Sequence, residues 1–196
     1  MRVFFSKMTK KEDRKMISSI PITLPVLEDS ERLEYEQIDW HNYRKLLTMF
    51  EKDRSIFVMN DYKTIDQLEE YMDYQLNFAQ YSFKRGAADW FYKNKKTGEY
   101  IGVFNLYDLS KEKLNDNHKR CTIGFATTEK HREQYYTLEA IETFKNALFN
   151  QLDKNYILSY TTKENVATIE LLQRAGFQKS EGDYIHKEYV YYEFCR

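Results

Sequence analysis

The sequence predicts a single α/β (α+β) domain: a mixed, mostly antiparallel sheet of six to seven strands with helices on both faces. Three observations predict it. Apolar residues alternate in short runs such as the one around Leu33 and Tyr35, and recur at helical spacing in longer ones such as Leu138, Ile141, Phe144 and Leu148. The runs follow the order βαα, ββ, βαβα and then one or two closing strands, so a sheet that is antiparallel early gains a crossover helix late. A chain of 196 residues with 42% hydrophobic content supports one core and is short for two.

Residues 1–25 read as an amino-terminal arm ahead of a domain at 26–196. Lys7 to Ile17 is a weak helix candidate, and Pro21 and Pro25 favour an extended run. The arm packs either on the domain or on a second subunit. Arg32 to Ile38 alternates as a first strand, and Asp39 is placed to cap a helix carrying Tyr43, Leu46, Leu47 and Phe50. A second helix opens at Thr64, where Thr64 and Gln67 fit a capping box. Ile65, Leu68, Met72, Leu76, Ala79 and Phe83 share one face of it, and Gly86 suits its end. Asp89 to Lys93 and Tyr100 to Tyr107 form a hairpin around the turn Asn94 to Gly98. After a polar run from Asp108 to Lys119 come a strand at Cys121 to Thr127, a helix at Thr137 to Leu152 and a strand at Tyr156 to Tyr160. A helix at Asn165 to Ala175 is closed by Gly176, and a last strand runs from Glu188 to Phe194.

Composition narrows the function classes. A net charge of −1 lacks the basic excess of a domain that binds nucleic acid by neutralising phosphates. No apolar run approaches the roughly 18–20 residues that span a bilayer, and the charged start does not read as a signal peptide. The expected setting is the cytoplasm, with no membrane or nucleic-acid partner. Cys121 and Cys195 read as reduced thiols, and His41, His118, His131 and His186 stand at no metal-ligand spacing, so no metal is expected. The glycine patterns of P-loop and dinucleotide enzymes are missing, as is the nucleophile elbow.

Two stretches carry a resemblance. The run IGFATTEKHREQYYTLEAI at Ile123 to Ile141 and NVATIELLQRAGF at Asn165 to Phe177 resemble the GNAT superfamily of acetyl-CoA-dependent N-acetyltransferases, in the branch of the ribosomal-protein alanine acetyltransferases. Glu31-Arg32-Leu33, Gly98 to Gly102 and Glu181-Gly182 support it, and it covers the chain from about Glu31 onward. The resemblance implies an acyl-CoA N-acyltransferase fold in which the strands ending near Thr127 and Tyr160 splay apart. Acetyl-CoA is the implied co-substrate. Phe125, Ala126 and Thr127 would line the pantetheine arm. The loop Arg132, Glu133, Gln134, Tyr135, Tyr136 and Thr137 would meet the pyrophosphate at a helix start. Asn165 and Thr168 would complete the cofactor wall.

The loop departs from the family pattern. Arg132 fits its first position, but Tyr135 stands where a glycine belongs and Thr137 where glycine or alanine belongs, and Glu133 adds a negative charge. Glu139 matches the family helix, and the plain alternative for it is a salt bridge. Leu172 replaces the tyrosine that many relatives use as an acid; Thr168 matches a serine that this branch often carries on the first turn of the helix, so the resemblance makes it the candidate general acid. Asn165 has a second reading as a helix N-cap, and Thr168 as an ordinary first-turn hydroxyl. Thr122 occupies a place where many relatives carry a carboxylate. No general base stands out: Glu188 and His186, near the last hairpin, and His118, in the polar loop, are candidates by location alone, Glu188 foremost, and a water chain would also serve. Two functions follow: an N-acetyltransferase acting on a primary amine (a protein N-terminus, a lysine or a small amine) by direct attack, or a GNAT-fold binding or scaffolding protein that has lost catalysis. The acceptor is unread, and a homodimer is compatible with the arm.

Overall fold

A computed structural model describes residues 24–51, 64, 66–67, 69–70, 87–107, 119–182, 184 and 186–196. The expected helix at Lys7 to Ile17, most of the second helix and the run containing His118 lie outside the described residues. The elements are β1 (Leu33–Gln37), α1 (Lys45–Met49), β2 (Ala88–Asn94), β3 (Tyr100–Tyr107), β4 (Arg120–Thr127), a 3₁₀ turn (Glu129–His131), α2 (Tyr136–Gln151), β5 (Tyr156–Thr162), α3 (Val166–Arg174), β6 (Gln178–Lys179) and β7 (Tyr189–Cys195).

The strands form one seven-stranded sheet in the order β1-β2-β3-β4-β5-β7-β6. Every neighbouring pair is antiparallel except β4 with β5. That exception follows from α2, whose crossover returns the chain to the same end of the sheet.

Alternation along the strands sorts the core onto two faces. Trp90, Tyr92, Phe104, Leu106 and Ile123 meet Ala140, Ile141, Phe144 and Leu148 of α2. Phe144 stacks on Phe104 with ring centroids 3.6 Å apart. Fully burying a side chain of that size contributes about 1.5–3 kcal/mol, so this layer anchors α2. Phe91, Val103 and Ala126 point the other way and meet Ile38, Tyr43, Leu46, Leu47 and Phe50 around α1. Helical elements thus cover both faces.

Local signals set several boundaries. The capping box forms: Gln67 N–H donates to Thr64 Oγ1 and Thr64 N–H to Gln67 Oε1, both at 3.2 Å. Gly176 ends α3 with φ of 84°, in the left-handed region where glycine carries no Cβ penalty. One boundary differs from expectation. Asp39 does not cap a helix directly; its carboxylate accepts from His41 N–H at 2.7 Å, while Asn42 Oδ1 accepts from Asp39 N–H at 2.8 Å. These local bonds hold a turn, and regular α1 begins only at Lys45.

Candidate active site

The sheet opens between β4 and β5. They pair only at Arg120 with Tyr156, Cys121 with Ile157 and Thr122 with Leu158. Beyond that, β4 stays with β3 as far as Thr127, and β5 stays with β7 as far as Thr162. The edges from Ile123 and Ser159 onward therefore diverge. Ser159 Oγ donates to Ile123 O at 3.1 Å and closes the base of the gap. Successive residues on a strand alternate edges, so Phe125, two residues past Ile123, turns its backbone groups to the same gap. Such an edge accepts an extended amide chain as an added strand would.

The open end of this gap meets the loop before α2. Glu133 has φ of 64° and Tyr135 has φ of 60°. The backbone thus takes a left-handed shape at the position where glycine was expected, with tyrosine in place. Each such residue costs roughly 1–2 kcal/mol, so the loop must be held by other contacts. Arg32 Nη1 donates to Gln134 O at 3.1 Å, and Gln134 Nε2 donates to Lys130 O at 3.0 Å. Tyr135 is the N-cap of α2 and offers that helix no side-chain cap. The first-turn N–H groups and the positive end of the helix dipole so face the loop, an arrangement suited to an anion.

Thr137 is buried and sits in a hydroxyl cluster. Its Oγ1 bonds Thr127 Oγ1 and lies 3.3 Å from Tyr92 Oη, which is 2.8 Å from Thr127 Oγ1. Burial pushes the Tyr92 phenol up to about 12, despite the opposing bonds to both threonines. It stays a neutral donor and reaches Ala126 O at 3.1 Å. The cluster ties the end of β4 to the start of α2. Gly102 makes room for it: a Cβ there would stand 2.2 Å from Tyr92 Oη and 2.3 Å from Ala126 O.

Glu139 is a strut. It accepts from Ser30 Oγ at 2.6 Å, from Arg32 N–H at 2.7 Å and from Arg32 Nε at 2.6 Å. Burial alone raises its carboxyl, but these bonds outweigh burial and hold it below the usual carboxylate range. The Arg32 guanidinium also lies 4.4 Å from the Tyr136 ring centroid. The salt-bridge reading of Glu139 holds.

The residues singled out from sequence fall as follows. On β4, Phe125 and Thr127 turn their backbone groups toward the gap, whereas Ala126, expected there too, faces Val103 of β3 by the same alternation and buries its side chain on the α1 face. Arg132 is exposed, and its Nε is 3.4 Å from Thr127 O. Glu133, Gln134 and Tyr135 are exposed, Tyr136 is half-buried under Arg32, and Thr137 is enclosed. Asn165 caps α3, its Oδ1 accepting from Thr168 N–H at 3.2 Å. Thr168 is half-buried on the first turn. Leu172 is fully buried in the core. Glu188 is exposed in the turn before β7, its Oε1 3.4 Å from His186 Nδ1.

Sequence reading missed three groups. Arg32 carries no local signal of its role, since its partners Glu139 and Gln134 lie more than 100 positions away. Arg174 reaches Tyr135 from α3. The third is a tyrosine cluster on the α1 face of β5 and β7. Tyr160 stands opposite Tyr191, and Tyr184 stacks on Tyr191 with centroids 3.8 Å apart. Tyr189 lies 5.2 Å from Tyr160. Burial, then Tyr160 and Glu188, push the Tyr191 phenol up. The gap thus has the loop on the α2 face and this aromatic wall on the other.

Comparison with known proteins agrees with this architecture. Residues 25–178 match the family model described as the acetyltransferase (GNAT) domain. The uncharacterized N-acetyltransferase YoaA of Bacillus subtilis (strain 168) is 27% identical over 169 residues, covering 85% of this chain and 89% of that protein. Among solved structures, the ribosomal alpha-N-protein acetyltransferase RimL in complex with coenzyme A superposes with a TM-score of 0.67 at 15% identity, covering 86% of this chain and 97% of that one. The spermidine N-acetyltransferase of Vibrio cholerae in complex with coenzyme A and spermine gives 0.65 at 15% identity, covering 85% and 96%. With its splayed strands, its loop and its matched model, this chain belongs to the GNAT acetyltransferase family.

Proposed function

We propose that the protein transfers the acetyl group of acetyl-CoA to a primary amine by direct attack. The observation that carries this reading is the β4–β5 gap running into the uncapped start of α2. Residues fit the group at both ends: strand edge for an amide-rich arm, helix N–H groups for a diphosphate. Acetyl-CoA supplies the activated acetyl thioester.

The chain's own contribution is placement and proton handling. The backbone at Phe125 to Thr127 polarises a carbonyl lying in the gap. The amine nitrogen forms the new C–N bond as the C–S bond breaks. Its proton goes to Glu188, directly or through water, and the Thr168 hydroxyl relays a proton to the leaving thiolate, regaining one from solvent water as it gives its own. The acceptor enters from the α1 face, past Tyr160, Tyr189 and Tyr191, opposite the loop. Relatives of similar fold include a protein N-terminal and a polyamine acetyltransferase, and a primary amine is common to both.

Calorimetric titration with acetyl-CoA tests the first half, and a thiol-release assay against N-terminal peptides and polyamines tests the second. No heat at millimolar acetyl-CoA would refute the reading.

A further inference from the structure

We propose that Tyr135 is an aromatic platform for the adenine of coenzyme A, with Arg174 as its basic flank. This rests on the acetyl-CoA reading above and adds a recognition element that a glycine at this position cannot supply. Tyr135 is 55% exposed. Its hydroxyl accepts from Arg174 Nη1 at 3.1 Å, and the guanidinium carbon lies 5.7 Å from the ring centroid. The ring therefore extends from the start of α2 toward α3 and does not fill the β4–β5 gap. Lys145 fixes the base of this arrangement by donating to Ala175 O at 2.9 Å, the residue after Arg174.

The direction of the ligand follows from the site. With pantetheine in the gap and diphosphate at the first turn of α2, the nucleoside must continue outward from the loop. Tyr135 is the N-cap at that point. The other largely exposed aromatic ring among the described residues, Trp40, packs edge-on against Tyr43 on the α1 side. A tyrosine held by its hydroxyl in a left-handed conformation keeps a flat apolar face toward water. That face suits a purine, and the neighbouring guanidinium suits a phosphate on its ribose.

The experiment is a calorimetric comparison of Tyr135→Gly, Tyr135→Phe and Arg174→Gln with the unmodified protein. Each is titrated with coenzyme A, 3′-dephospho-coenzyme A and pantetheine 4′-phosphate. Glycine accepts the positive φ, so the ring is lost without misfolding. The expected result is binding of both nucleotide ligands about tenfold weaker in Tyr135→Gly, the scale of one lost base–aromatic stack. Pantetheine 4′-phosphate should be unaffected, and Tyr135→Phe, which keeps the ring but loses the bond from Arg174, should lose less of the nucleotide binding than Tyr135→Gly. Arg174→Gln should weaken coenzyme A more than its dephospho form. Equal or tighter coenzyme A binding by Tyr135→Gly, or an equal loss for all three ligands, overturns the platform. Failure of the unmodified protein to bind coenzyme A overturns the acetyl-CoA reading and the platform with it.

Discussion

Tyr92 and Thr137 meet across the junction of β2 and α2, their hydroxyls 3.3 Å apart and both in contact with Thr127. A threonine stands where the family pattern has glycine or alanine, and the protein accommodates it by burying a matching phenol. Gly102 completes the set, since its missing Cβ leaves room for the Tyr92 hydroxyl and the Ala126 carbonyl.

Gly102→Ala should therefore destabilise the fold severely. Adding Tyr92→Phe should not restore it, because the Ala126 carbonyl would still stand 2.3 Å from the new Cβ. Tyr92→Phe alone should cost about 1–2 kcal/mol, the cost of a lost buried hydrogen bond. Urea denaturation of the three variants checks this, and full rescue of Gly102→Ala by Tyr92→Phe would contradict it.

Glu133→Gly should stabilise the protein. Its φ of 64° is one that glycine adopts freely, and relief of the strain should outweigh the greater freedom of the unfolded chain by about 0.5–1 kcal/mol. The same change removes a negative charge beside the proposed diphosphate site, so acetyl-CoA should bind more tightly. Thermal unfolding and calorimetry on one variant read both effects.

Arg32→Ala should loosen the loop. The guanidinium joins Gln134 O, Glu139 and the Tyr136 ring, none of which proposes it as a group that touches substrate. KM for acetyl-CoA should rise several-fold with kcat changed less. Arg32→Lys should recover little, since one ammonium cannot replace the planar fork. A fall in kcat alone would point to a different role.

Glu36 supplies a pH dependence. Burial acts to raise its carboxyl, yet bonds from Tyr100, Asn42 and Lys93 hold it at about 2, against 4.5 for an unperturbed group. The unfolded chain therefore takes up the proton first as pH falls. Its stabilisation is full above about 4.5 and is lost as pH drops toward 2. Glu36→Gln should flatten the stability profile in that window relative to the unmodified protein. Parallel profiles would exclude it.

Asn165 serves α3 as a cap, so Asn165→Ala should cost about 0.5–2 kcal/mol while Asn165→Asp keeps the cap. If the amide also holds the cofactor arm, Asn165→Asp should weaken acetyl-CoA binding at unchanged stability. Equal binding would confine Asn165 to capping.

What the sequence determined by itself is what neighbours within a few residues determine. The Thr64–Gln67 box, the Asn165 cap, the Gly176 stop and the strand alternation all depend on contacts of short range, and each formed where the pattern placed it. The order of elements then left few ways to build the sheet. The α1 start was misplaced because Asp39 and Asn42 bond each other first. The tertiary structure decided the chemistry of the loop. Read alone, Tyr135 and Thr137 look like obstacles to a glycine-shaped turn. In the fold, the turn keeps that shape with Arg32 reaching it from just before β1, Tyr92 from β2 and Arg174 from α3. No local pattern announces such partners, since each bond depends on where the sheet brings the two chain segments together.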